Sequence, residues 1–414
     1  SIADNGVGMT QDKIEKILSG DGIAVDPDKN LLYLILCHSD TVVSYGDINK
    51  ISLSVCLKID ITPAQLALEP CSGAVVQTDV DNGQIIALVT YPSYDNNQLA
   101  NKINWDYYKL LLDDNSNPLY NRATQQRTTT GSAIKMMTSA AGFMYDVIGA
   151  DEKIKDLVVF TKVVPSPSCS SSSGHGNIDV SDAIKNSCNY FFYEVGYRLS
   201  TTKDTISDSD YSDSLGISRL QETGKYFGLT SVSGIEIGEA SPEFSTADAV
   251  RSSIGYGYKF TPIQIARYAT TVANKGTLYK NTLLEKIVNK DGEITYRSTP
   301  EVESKLTMLS NYEWDKIVYG MEKVITNSAT LSGELYNVKV QVAGKTGTAQ
   351  TSNATPPHSV FVSFAPSRNP ETSIVCVIAN GYSGQYSGLV ATDAYRFYYN
   401  GEFAEYLKKA EEVR

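Results

Sequence analysis

The stretch GAVVQTDVDNGQIIALVTY, residues 73–91, decides the fold class. Two runs rich in Val, Ile and Thr flank Asp81-Asn82-Gly83. Asn-Gly between such runs is the strongest short hairpin signal, because the tight turn needs the positive φ that Asn and Gly tolerate. The stretch therefore predicts two antiparallel strands at a sheet edge. Strand-like runs return at residues 338–343, 359–364 and 373–378. Between these ends lie segments of helical spacing. Residues 132–147 are small and apolar with no proline and predict a buried helix starting at Ser132, and residues 181–199 predict a helix with an aromatic face. Polar loops are expected at residues 166–176 and 201–213, and a polar amphipathic helix at residues 402–413. The fold class is α+β: a mainly antiparallel sheet flanked by helices, with the Ser132 helix packed against it.

Of the 414 residues 42% are hydrophobic, and 36 Lys and Arg against 47 Asp and Glu leave a net charge of −11. That acidity argues against a nucleic-acid partner, which needs surplus cations to neutralise phosphates. The run LLYLILC, residues 31–37, is far short of the roughly 20 apolar residues that cross a bilayer. The chain starts at Ser1 with no signal-type segment, so it is expected to be a piece of something longer, with an anchor upstream. Six cysteines (Cys37, Cys56, Cys71, Cys169, Cys188, Cys376) form no CxxC pair and have no accompanying histidine cluster. Zinc ligation is therefore not expected, and neither a metal nor a cofactor is assigned.

Ser132-Ala133-Ile134-Lys135 carries the first chemical signal. Positions i and i+3 share a helix face, so the Lys135 amine can reach the Ser132 hydroxyl. A serine is a weak nucleophile until a base takes its proton, and a lysine is such a base when burial or a neighbouring cation holds it neutral. A second SxxK, Ser200 to Lys203, lies in a polar loop and lacks an apolar helix behind it. SxN occurs at Ser187-Cys188-Asn189 and again at Ser367-Arg368-Asn369, the latter in a turn flanked by prolines. Lys345-Thr346-Gly347 occurs once and continues into Thr348. There a strand offers a cation and hydroxyls suited to a carboxylate, and a glycine beside which another backbone can lie.

The motifs follow in the order SxxK, SxN, KTG at 132, 187 and 345, each on the element its chemistry needs. In this the chain resembles the penicillin-binding proteins and serine β-lactamases. The text around the motifs (LYNRATQQ, SCNYFFYEVG, SIGYGYKFTPIQIARY, AGKTGTAQ and SVFVSFAP) is similar to the transpeptidase domain of class B penicillin-binding proteins, over about residues 73–398. The resemblance implies that Ser132 attacks the penultimate D-Ala carbonyl of a peptidoglycan stem peptide and that Lys135 accepts its proton. Ser187 would relay protons between Lys135, Lys345 and the amine, and Asn189 would bind the substrate amide. Lys345, Thr346 and Thr348 would hold the terminal carboxylate along the strand that Gly347 leaves bare, and the Ser132 and Thr348 N–H groups would form the oxyanion hole. β-Lactams would acylate Ser132.

It further implies an extracytoplasmic domain anchored to the bacterial membrane, working on D-Ala-D-Ala stem peptides beside a membrane glycosyltransferase. Residues 1–65 read as the remnant of a pedestal or linker and residues 66–414 as the transpeptidase domain. The chain departs from the family at Thr130, where a proline is common. A β-lactamase or a β-lactam sensor would share the motifs, but no glutamate motif for a deacylating water is evident; an inactive scaffold would not need the intact triplet. Outside the resemblance, Asp4 to Met9 (DNGVGM) is similar to a nucleotide-binding loop but reads better as a surface turn. Trp105 and Trp314 read as packing residues, His38 and His358 as structural, and His175 as a loop residue near the SxN helix.

Overall fold

The computed structural model describes residues 72–202, 210–349 and 356–401. Cys37, Cys56, Cys71, His38, the DNGVGM loop and the helix expected at residues 402–413 lie outside them. The principal elements are strands β1 (Gly73–Asp79) and β2 (Ile85–Tyr91), helices α1 (Lys135–Met144), α2 (Val180–Lys185), α3 (Asn189–Leu199), α4 (Pro262–Ala273) and α5 (Asn311–Asn327), strands β3 (Ala343–Ala349), β4 (His358–Ala365) and β5 (Thr372–Ile378), and helix α6 (Gly384–Asn400). The sheet order is β2-β1-β5-β4-β3, with every pairing antiparallel. The hairpin lies where its sequence puts it, at one edge, and the KTG strand β3 forms the other.

β4 and β5 are buried along nearly their whole length, which is why they read as continuous apolar runs. Because successive side chains point to opposite faces, they feed two cores. Val360, Val362, Phe364, Val375 and Val377 join the large helical core, whereas Phe361, Ala365, Ile374 and Cys376 pack with Ala391 and Tyr395 of α6. α4 covers the first face and α6 the second.

Three expectations are corrected. The run at residues 338–343 is not a strand: Val338 N–H closes a turn on the Leu335 carbonyl, Val338 and Val342 pack into the second core, and the strand starts at Ala343. The segment at residues 181–199 is two helices, broken at Ser187, whose φ is +51°. Trp105 is 67% exposed and no packing residue, whereas Trp314 is buried. Trp105 begins the helix Trp105–Asp113, in a separate compact unit that contains residues 92–119.

Candidate active site

Gly131–Ile134 form a 3₁₀ turn that runs directly into α1. Gly131 has φ +50°, open to glycine at little cost, and a Cβ there would lie 2.8 Å from the Thr348 carbonyl oxygen. The backbones of the Ser132 turn and of the KTG strand are therefore in direct contact. Gly347 makes the same contact from the other side: its Cβ would lie 2.3 Å from the Thr130 carbonyl oxygen and 3.1 Å from Ala133 Cβ. A backbone does lie beside this glycine, but it is the protein's own turn. The bare α-carbon presses the strand onto Ser132.

Lys135 is fully buried as the first residue of α1. Its Nζ donates to the Ser187 carbonyl at 2.8 Å, to Ser187 Oγ at 3.2 Å and to Asn189 Oδ1 at 2.8 Å, and sits 5.3 Å from the Phe192 ring centre. No hydrogen bond joins it to Ser132 Oγ among the described residues. Burial, and then the nearby Lys345 cation, hold the Lys135 amine well below the ordinary lysine range. From β3, Lys345 Nζ donates to the same Ser187 Oγ at 3.1 Å and to the Thr346 carbonyl at 2.7 Å; burial pushes its pKa down to about 7. One hydroxyl thus joins two buried amines, each predisposed to be neutral. A neutral Lys135 keeps two donors for its two shorter bonds and frees a lone pair for a proton.

The break between α2 and α3 makes this possible. The positive φ of Ser187 turns its carbonyl and hydroxyl to the same amine, and Cys188 then caps α3 by accepting from the Phe191 N–H at 3.4 Å. Thr346 and Thr348 alternate with Lys345 along β3. Thr346 is half-buried and Thr348 exposed, with Thr348 Oγ1 accepting from the Gly384 N–H at 3.1 Å. Ser132, Ser187 and Asn189 are each half-buried. On the side away from β4, β3 has no partner strand among the described residues.

Beneath the Ser187 turn lies a cluster that the sequence reading missed. Cys188 Sγ donates to Asp156 Oδ2 at 3.3 Å and lies 3.8 Å from Cys169 Sγ; His175 Nδ1 is 2.8 Å from Asp156 Oδ2 and 3.5 Å from Cys169 Sγ. The four donor atoms lie within 4.8 Å of one another. Two sulfurs, a nitrogen and a carboxylate oxygen are the number and type of ligands a tetrahedral zinc ion takes, although Cys169 and Cys188 form no CxxC pair. The only sequence signal was that Cys169 and His175 share one loop and Cys188 follows one short helix later. The hydrogen bond from Cys188 holds the Cys169 thiol down to about 5 and, with burial, pushes Cys188 up. Burial raises the Asp156 carboxyl, but bonds from the Val158 N–H, His175 and the thiols outweigh it and leave it lowered. Elsewhere, His358 Nδ1 accepts from the Asn380 N–H.

A serine beside a strand, with two buried lysines sharing one hydroxyl, on an α+β fold, brings a candidate nucleophile and candidate bases into one site. The penicillin-binding protein transpeptidase domain model matches residues 73–398, and the chain belongs to that family. The peptidoglycan D,D-transpeptidase MrdA of Haemophilus influenzae is 28% identical over 370 residues, 80% of this chain and 54% of the relative. A solved peptidoglycan synthase complex, described as coordinating polymerization and crosslinking, superposes with a TM-score of 0.69 at 25% identity, over 81% of this chain and 56% of that one. Penicillin-binding protein A of Mycobacterium tuberculosis, solved as a ceftriaxone acyl-enzyme, superposes at 0.65 with 24% identity, over 78% and 72% of the two chains. The chain thus spans about half the length of the first of these relatives. No described helix is long and apolar enough to cross a membrane.

Proposed function

We propose that this chain carries the catalytic domain of a peptidoglycan D,D-transpeptidase. The observation that carries the reading is the buried Lys135–Ser187–Lys345 relay against the turn that bears Ser132. Lys135, neutral, takes the Ser132 hydroxyl proton as Oγ forms a bond to the penultimate D-Ala carbonyl carbon of a stem peptide. The adjacent Ser132 and Thr348 N–H groups stabilise the oxyanion. As the bond to the terminal D-Ala nitrogen breaks, the proton passes from Lys135 through Ser187 to that nitrogen. An acceptor amine from a second strand then attacks the ester, gives its proton back along the same chain and regenerates Ser132. Asn189 holds the peptide amide, and Lys345, Thr346 and Thr348 the terminal carboxylate. Gly347 keeps the strand and the Ser132 turn in register. β-Lactams acylate Ser132 in place of the donor peptide, as the ceftriaxone complex of the mycobacterial relative illustrates.

The domain works at the extracytoplasmic face of a bacterial membrane beside a glycosyltransferase partner. The likeness to a peptidoglycan synthase complex and to MrdA supports that placement. The division into residues 1–65 and 66–414 stands as part of this proposal. Incubation with a fluorescent penicillin followed by intact mass measurement is expected to add one adduct to the wild type and none to Ser132→Ala. An unlabelled wild type would overturn the reading.

A further inference from the structure

The Tyr268 hydroxyl stands inside the hydrogen-bond ladder of the nucleophile helix. It accepts from the Met137 N–H at 3.2 Å and donates to the Ala133 carbonyl at 3.0 Å. In an uninterrupted α-helix that N–H and that carbonyl, four residues apart, bond to each other. The side chain reaches them from α4 and is fully buried. Phe227 packs edge-on against its ring at 5.5 Å. The start of α4 is fixed by Pro262 at its first position and by the Gln264 side chain, whose Oε1 accepts from the Thr261 N–H at 3.0 Å. Nothing in the acyl-transfer steps uses this hydroxyl.

The change of helix type falls at the same place. Gly131–Ile134 is 3₁₀ and the regular α-helix begins at Lys135. In a 3₁₀ turn the side chains at i and i+3 eclipse, whereas in an α-helix they are offset by about 60°. Ser132 and Lys135 are that i, i+3 pair. We propose that Tyr268 is a positioning residue for acyl transfer: its inserted hydroxyl holds the Ser132 turn in 3₁₀ form and so lines the nucleophile up with Lys135. The inference rests on the proposed acyl-transfer reading and on the geometry of these two bonds. Without the hydroxyl, the Ala133 carbonyl and Met137 N–H are free to pair directly. The ladder then closes by one α-helical bond, no polar group is left unsatisfied, and Ser132 rotates away from the amine.

The test compares Tyr268→Phe with wild type by stopped-flow acylation using a fluorescent penicillin, separating the pre-acylation dissociation constant from the acylation rate constant. Rates are normalised to the number of sites titrated at saturation, so a partly folded preparation does not mimic the effect. The acylation rate constant is expected to fall roughly 10- to 100-fold, the range a misplacement of about an ångström produces. The dissociation constant should stay within a factor of about two, because Lys345 and the KTG strand are untouched. The pH at which the rate is half-maximal should not move, because Lys135 remains buried; only the plateau should drop. Thr270→Ala removes another buried hydroxyl of α4, bonded to Ser373 at 2.9 Å, and should leave the acylation rate constant unchanged. An unchanged rate constant in Tyr268→Phe, or an equal loss in Thr270→Ala, would overturn the inference. A wild type that forms no adduct at Ser132 would instead overturn the transpeptidase reading itself.

Discussion

At Lys345 a strand buries a cation that its own burial pushes down to about pKa 7, far below its value in an unfolded chain. Between about pH 7 and pH 10.4 the unfolded state therefore binds more protons than the folded one, and stability rises with pH through that window. Lys135 is shifted in the same direction. Lys345→Met, similar in length but uncharged, is expected to melt higher than wild type at pH 6 and to lose that advantage as pH approaches 10.4, while its penicillin acylation is abolished. A melting difference that stays flat with pH would show that Lys345 is not held below its ordinary range. Local spacing placed Lys135 one turn from Ser132, and the order of SxxK, SxN and KTG, read as a family resemblance, named the other residues that meet here. Ser187, an acceptor of both lysines, was named through the family resemblance, but the Tyr268 hydroxyl and the Asp156–Cys169–His175–Cys188 cluster were not. Those depend on chain segments that return from tens to more than a hundred residues away, and no local pattern encodes the return.

The break between α2 and α3 shows what periodicity hides. Residues 181–199 keep helical spacing in their apolar positions on both sides of Ser187, so the pattern reads as one helix, yet a single left-handed residue separates two. Such a conformation costs an L-residue about 1 kcal/mol or more, and glycine is spared it. Ser187→Gly is therefore expected to be more stable than Ser187→Ala by about 1 kcal/mol in chemical denaturation. Both variants should lose acylation, since both lose the hydroxyl between the lysines; equal stabilities would argue that Ser187 is unstrained. The hairpin was legible because Asn82-Gly83 fixes its turn locally. Helix α6 was not, since its buried face carries Gly384, Ser387, Gly388, Ala391 and Thr392, small residues that let it approach the sheet, and Tyr395 as its one large member, so no apolar stripe marks it.

Across the whole molecule the sheet separates two cores, and the buried amines of the site face only one of them, although Thr348 bonds Gly384 at the start of α6. The Ser132 turn, α1, α3 and Tyr268 sit in or against the larger core, whereas Ile374 and Cys376 look the other way toward α6. Ile374→Ala should cost about 2–5 kcal/mol of stability by denaturant titration. The acylation rate constant of the molecules that remain folded should not change, and a matching loss of rate would mean that the two cores act as one. The order of strands has a consequence in time. β1 takes β2 at once as its neighbour on one side, but on the other it pairs Gly73 with Ile378, about 300 residues later. At the ribosome's 5–20 residues per second, β1 waits about 15–60 s for that partner. Throughout that interval the hairpin offers an open edge, and no penicillin can report a finished site. Acylation competence therefore cannot precede the arrival of the KTG strand β3, and a pulse of labelled antibiotic during synthesis would read that time as a clock.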